Sequence, residues 1–331
     1  MTKHSRLDED DVRIRPGRSK SRRRTKERPA FQDATSATVT TVDRGRFTLI
    51  TPDGSQHYAV KARELGRKGI VVGDEVDVIG LSQATGLDRG NREDFARIVG
   101  RYPRTTTLRR TADDADPVER VIVANADQLA IVVASADPDP RPGLIDRAMV
   151  AAFDAGISPM LIITKTDIAP PVQLVELYGP LDIPIHEVHS KAVSADIRAA
   201  VADHATVLIG HSGVGKSTLV NSLVPTAERA TGGVNAVTGK GRHTSTNVIA
   251  LPLPGGGIII DTPGIRSFGL AHVDADRVVH AFSDIEAAAE ACPRGCSHDE
   301  PHCALDSDPT IVPERLASLR RLLRSRNQTD Y

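Results

Sequence analysis

Two textures of apolar spacing divide this chain. From about Ala34 to Arg104, apolar and polar positions alternate in short runs. Thr38-Val39-Thr40-Thr41-Val42, Arg46-Phe47-Thr48-Leu49-Ile50 and Gln56-His57-Tyr58-Ala59-Val60 are separated by turn signals at Arg44-Gly45 and Pro52-Asp53-Gly54. Val71 to Val78 then alternates apolar with acidic residues, and Ala96-Arg97-Ile98-Val99 follows. A period of two marks strands with one face toward a core. Five such strands predict a small Greek-key barrel of the OB type, with another small barrel or sandwich as the rival.

After about Thr111 the alternation disappears. Leu129-Ala130-Ile131-Val132-Val133-Ala134, Met160-Leu161-Ile162-Ile163, Val207-Leu208-Ile209 and Ile258-Ile259-Ile260 are unbroken apolar runs separated by helical stretches. Strands covered on both faces look like this, so a parallel α/β sheet is predicted. Beyond about His272 the pattern predicts a helix over Arg277 to Ala291, then a Cys/His cluster and an Arg-rich final helix. The expected organisation is therefore a tail over 1–33, a barrel over 34–108, an α/β domain over 109–271 and a helical, metal-bearing domain over 272–331.

Composition changes this picture only at the ends. The 331 residues carry 42 Lys and Arg against 43 Asp and Glu, a formal net charge of -1. Residues 1–33 alone hold 11 basic and 6 acidic side chains, a net +5 that leaves −6 for the remainder. The tail is thus expected to be disordered and basic. No apolar run approaches the ~20 residues of a membrane span, and the polar N-terminus lacks the apolar core of a secretory signal. Three cysteines cannot make a full disulfide framework, which points to a reducing cytoplasm. Membrane, secreted and fibrous classes are excluded as expectations.

Gly210-His211-Ser212-Gly213-Val214-Gly215-Lys216-Ser217 fits G-x-x-x-x-G-K-[ST] in full, and Thr218 continues into the helix it opens. Glycines let backbone N–H groups face phosphates at a helix N-terminus. Lys216 would neutralise β- and γ-oxygens, and the Ser217 hydroxyl would ligate Mg²⁺. Asp261-Thr262-Pro263-Gly264 follows the next strand, where Asp261 can hold Mg²⁺ through water and the Gly264 N–H can face a γ-phosphate. Between the two, 231–247 is a Gly/Thr/Lys/Asn segment without hydrophobic period, as expected of a functional loop. Thr244 and Thr246 both offer hydroxyls there, and Thr244 is the chosen ligand for Mg²⁺ and the γ-phosphate.

Upstream, Thr164-Lys165-Thr166-Asp167 is close to the guanine-reading N-K-x-D. A carboxylate at Asp167 accepts from guanine N1–H and the 2-amino group, whereas adenine would leave it unsatisfied. The Lys165 stem packs along base and ribose, and Ser190-Lys191 offers a backbone contact to the guanine carbonyl. The base motif precedes the phosphate loop, the reverse of the usual order in GTPases. One sheet tolerates that order if the usual termini are joined and a new break opens after the second switch.

With these motifs in this order, the chain resembles the circularly permuted GTPases that assist small ribosomal subunit maturation, the RsgA or YjeQ family, over about residues 35–325. Val121 to Asp127, Gly241-Arg242-His243-Thr244 and Asp261 to Leu270 also resemble that family's signatures. The resemblance implies GTP hydrolysis to GDP and phosphate, stimulation by the 30S subunit, binding of 16S rRNA, and a cytoplasmic monomer. It implies His243 as the water-positioning group. Thr164 stands where the family has Asn, and Ile265 stands where Ras-like enzymes carry a water-orienting Gln. An apolar side chain cannot orient water, so unstimulated hydrolysis is expected to be slow.

All three cysteines lie in Cys292-Pro-Arg-Gly-Cys296-Ser-His298-Asp-Glu-Pro-His302-Cys303. Three thiols and one imidazole form a closed structural Zn²⁺ site. The resemblance selects His298, with His302 an adjacent competitor. The basic tail, the barrel and Arg315, Arg320, Arg321, Arg324 and Arg326 of the last helix suggest a surface for RNA phosphates. Two rival readings are a P-loop small-molecule kinase and a GTP-bound RNA scaffold that never turns over. A zinc-delivery GTPase is a third.

Overall fold

The computed structural model describes residues 33–66, 69–81, 95–111, 119–225, 248–262, 270 and 273–326. The basic tail through residue 32 lies outside them, as do 226–247 and 263–269. Five strands form the first unit: β1 (Thr35–Asp43), β2 (Arg46–Ile50), β3 (Gln56–Lys61), β4 (Glu75–Ile79) and β5 (Ala96–Arg101). β1 pairs with β2 and with β4, β2 with β3, β3 in parallel with β5, and β5 with β4. The pairing closes on itself, as expected from the alternating runs. Val39, Leu49, Val76, Val78 and Ile98 fill the interior as a cluster of their own.

A register shift between Val39 and Thr41 bends β1, as bulges do. The strand then pairs at Thr41 with Ile249 of β12 (Ile249–Pro252), the edge of the second unit. A second attachment runs through 69–74. Gly73 has φ +87, and a Cβ there would sit 2.0 Å from the Ala124 carbonyl oxygen, so only glycine fits. Ala124 N–H donates to Val72 O at 3.0 Å, and Asn125 Nδ2 to Gly73 O at 2.9 Å. The fully buried Asp74 accepts from Arg104 at 2.7 and 2.9 Å and from the Val71 N–H at 2.8 Å.

The second unit is a sheet of order β10-β9-β8-β11-β13-β12, with β8 (Gln128–Ala134), β9 (Ser158–Thr164), β10 (Ile185–Val188), β11 (Ala205–Ile209) and β13 (Ile258–Asp261) parallel and β12 antiparallel. Leu129, Ile131 and Val133 of β8 point into one apolar cluster, and Ala130, Val132 and Ala134 into another. Burial on both faces is why these runs do not alternate. α1 (Pro142–Ala155) and α2 (Val172–Tyr178) cover the first face; α3 (Ala195–Val201) and α4 (Lys216–Leu223) cover the second. Joining the ends and starting from β11 recovers a strand order of 2-3-1-4-5-6, a doubly wound sheet whose binding crevice lies at the carboxyl ends of its strands. The hairpin of β6 (Thr107–Thr111) and β7 (Glu119–Ala124) adds Leu108 and Val123 to the first cluster.

The third unit packs on that same face. The single helix expected over Arg277 to Ala291 is instead two, α5 (Ala275–His280) and α6 (Ser283–Ala289). Phe282 breaks them with φ -113 and ψ 81, which turns its ring inward against Phe153, edge-on at 5.4 Å. Burying one aromatic outweighs the two or three helical residues lost. The last helix, α7 (Pro313–Ser325), lies on α1. Among the described residues, no helix is long and apolar enough to cross a membrane.

Candidate functional site

The phosphate loop leaves β11 and enters α4 through Gly213 and Gly215, both left-handed at φ +87 and +90. Gly210 fits because a Cβ there would meet Val132 O at 2.5 Å. Leu219, Val220 and Leu223 bury one face of α4 and anchor the loop behind it. His211, Ser212, Ser217 and Thr218 line this turn with polar side chains. Lys216 Nζ donates to Asp261 Oδ1 and reaches Thr262 O at 3.4 Å. The loop cation and the carboxylate ending β13 thus face each other, while the Thr262 hydroxyl is fixed on Leu208 O at 2.7 Å.

The base motif ends β9, separated from β11 by β8 alone. Thr164 spans that gap: its hydroxyl donates to Val214 O of the phosphate loop at 2.6 Å. Three residues on, Asp167 accepts the Ser190 N–H at 2.9 Å. That backbone bond is the largest reason its carboxyl lies below the usual range, with the charge of Lys191 a smaller one. Ser190 and Lys191 are themselves left-handed (φ 48 and 64), folding the loop after β10 back over Asp167. Thr166 reaches Val188 O at 3.4 Å. The two motifs, read from distant stretches of sequence, meet at one end of the sheet.

One segment was not singled out in the sequence. Ser135 to Pro138, after β8, lies across both motifs. The Ser135 hydroxyl donates to Lys165 O at 2.7 Å, Lys165 Nζ donates to Asp137 O, and Pro138 Cδ sits 3.5 Å from a Cβ built on Gly213. The signal was present as the turn-dense Ser-Ala-Asp-Pro-Asp-Pro closing an apolar strand. His243, Thr244 and Gly264 lie outside the described residues.

The ligand atoms of Cys292, Cys296, His298 and Cys303 all lie within 4.8 Å of one another. Cys303 Sγ is 3.6 Å from Cys292 Sγ and 3.8 Å from Cys296 Sγ. A tetrahedron with Zn–S bonds of about 2.3 Å has edges of about 3.8 Å, so the thiols fit that metal. Nδ1 of the buried His298 has no hydrogen-bond partner, as expected of a ligand nitrogen. Its Nε2 faces Asp276 Oδ1 at 3.9 Å, and His302 is exposed. Desolvation above all pushes the Cys296 and Cys303 thiols upward, so holding them as thiolates calls for a cation.

Four arginines of α7 form ion pairs. Arg315 pairs with Asp284, Arg320 with Asp306, Arg321 with Asp146 and Arg324 with Asp299. Arg315 and Arg321 also lie over the rings of Phe282 and Tyr178 at 5.1 and 5.0 Å. Asp284, Asp299 and Asp306 belong to the C-terminal unit itself and Asp146 to α1, and Arg324 keeps 61% of its side chain exposed.

Residues 101–271 match the family model described as RsgA GTPase. The small ribosomal subunit biogenesis GTPase RsgA of Pseudomonas aeruginosa is 40% identical over 256 residues, 73% of this chain and 75% of that protein. Its counterpart from Azotobacter vinelandii is 39% identical over 247 residues, 71% of each chain. In fold, the chain resembles the crystal structure of YjeQ from Thermotoga maritima (TM-score 0.65, 20% identity, covering 90% of this chain and 100% of that one). It also resembles YloQ, a circularly permuted GTPase (TM-score 0.63, 22% identity, covering 91% and 99%).

Proposed function

Because the chain belongs to the RsgA GTPase family, we propose that it hydrolyses GTP during maturation of the 30S subunit, in the cytoplasm and as a monomer, with 16S rRNA among its contacts. The observation that carries this reading is the bond from Thr164 to Val214 O, because it makes the base motif and the phosphate loop two walls of one site. Lys216 and the N–H groups of 210–218 hold the phosphates. Asp167 accepts the N1–H and 2-amino protons of guanine, Lys165 flanks the base, and Ser190-Lys191 closes its outer edge.

Ser217, Asp261 and Thr244 are hard oxygen donors suited to Mg²⁺, which supplies charge neutralisation between the β- and γ-phosphates. His243 orients the attacking water, a task that Ile265 cannot perform. In this reading the thiols and His298 hold one structural Zn²⁺. Docking on the 30S subunit brings His243 of the 231–247 loop into place, which makes hydrolysis slow when the protein is alone.

Single-turnover hydrolysis with and without purified 30S subunits tests this. Acceleration of at least tenfold is expected, within the ~10⁵-fold known for activated GTPases, and no acceleration rejects the reading. His243→Ala should remove the acceleration while leaving GTP binding intact. Asp167→Ala should erase the preference for GTP over ATP.

A further inference from the structure

Guanine shows a protein two kinds of edge: donors at N1–H and the 2-amino group, and acceptors at O6 and N7. Reading N7 requires a hydrogen that the protein has not already committed. The base is joined to ribose and phosphates through its five-membered ring. With the donor edge on Asp167, that ring, and N7 with it, lies toward the phosphate loop, on the side where Thr164 stands.

The described hydroxyls of the base motif and of the segment after β8 are committed. Thr164 has one proton and two carbonyls, Val214 O at 2.6 Å and Val133 O at 3.3 Å, and is only 4% exposed. Ser135 donates to Lys165 O at 2.7 Å, and Lys165 Nζ to Asp137 O. Thr166 lies 3.4 Å from Val188 O. Ser190 and Lys191 follow β10, the outermost strand, on the far side of Asp167 from the loop.

We propose that this site leaves guanine N7 unread, the Thr164 hydroxyl serving as a latch on the phosphate loop and not as a base contact. This rests on the guanine reading above. It makes Thr164 a positioning residue that sets the place of Val214 and hence of the phosphate cradle. Nucleotide discrimination then falls on Asp167 and the Ser190-Lys191 backbone, and changes at the 7-position of the base are tolerated.

The test compares the affinities of GDP, 7-deaza-GDP and IDP for the full-length protein by calorimetry. 7-Deaza-GDP, with a C–H in place of N7, is expected to bind within threefold of GDP; a larger loss overturns the inference. IDP, which lacks the 2-amino group, is expected to bind at least about tenfold more weakly. If IDP binds as GDP does, the Asp167 reading itself fails, whereas a 7-deaza loss in a protein that still rejects IDP sinks the present inference alone. Thr164→Val, of similar volume, should weaken GDP and 7-deaza-GDP by the same factor, and an unequal loss would also overturn it. Thr164→Asn, whose amide can donate, should create a discrimination against 7-deaza-GDP that the natural protein lacks.

Discussion

The barrel and the C-terminal unit are both fastened to the central sheet, by opposite means. The barrel keeps its own apolar interior and touches the sheet through backbone pairing at Thr41 and Ile249 and the Gly73 loop, lending Val72 and part of Val42 to the sheet's cluster. The C-terminal unit has no separate interior. Phe282, Leu305, Leu319, Leu322 and Cys303 belong to the same buried cluster as Leu129, Ile131 and Met149. Of the arginine pairs of α7, the one from Arg321 to Asp146 of α1 crosses this boundary, and those to Asp284, Asp299 and Asp306 stay inside the unit. A hydrogen-bonded junction can pivot at small cost in buried area, whereas a shared core comes apart only as a unit. One attachment is a joint and the other a graft.

The sharpest way to break this contrast is to remove the metal. Structural Zn²⁺ contributes on the order of 10 kcal/mol in small domains that depend on it. Chelation is expected to unfold α5 to α7 and, through the shared cluster, to lower the melting of the GTPase sheet, leaving the barrel intact. Hydrogen exchange resolved by segment reads this; equal loss of protection in β1–β5 would refute the distinction. Next in size, Phe282→Ala should cost about 3–5 kcal/mol in the same joint transition. On the other side, Asp74→Ala strands the Arg104 guanidinium and should cost about 3 kcal/mol. Its effect should appear as protease sensitivity at the barrel junction, with the main thermal transition in place.

The smallest effect is pH dependence within the C-terminal unit. Asp284, Asp299 and Asp306 are held below the usual carboxylate value of 3.8, each by its hydrogen-bonded arginine first. A depressed carboxyl stabilises the folded state above its unfolded value. That contribution is lost as pH falls through about 3.8 toward the folded value. Protection factors in α7, referred to the intrinsic exchange rate at each pH, should therefore fall between pH 5 and 3, while Asp146, raised by burial, does not add to the loss. Unchanged protection over that interval would argue that the pairs are ornamental.

Much of this was legible in sequence because the signals are local. The strand at Ala205–Ile209 and the helix face of Leu219, Val220 and Leu223 follow from residues within one turn of each other. The Cys/His cluster spans twelve residues and carries its own geometry. What escaped is long-range. Nothing near Arg321 announces Asp146, 175 positions away, and nothing in Thr164 announces the carbonyl of Val214, 50 positions on. The Arg-rich final helix was legible, but the carboxylates its arginines meet were a tertiary fact. The break at Phe282 escaped for a related reason: a ring buried against Phe153 overrode local helix preference.

The bond between Thr41 and Ile249 also bears on how the protein stays in solution. By running β12 at Ile249 into a strand that belongs to a closed barrel, it shortens the open margin on that flank, and among the described residues the opposite flank of the long sheet ends at β10. That last strand is four residues long, follows Pro184 and carries the exposed Glu187. A second chain seeking to add a strand finds a short, charged rung on one flank and a shortened margin beside a closed barrel on the other.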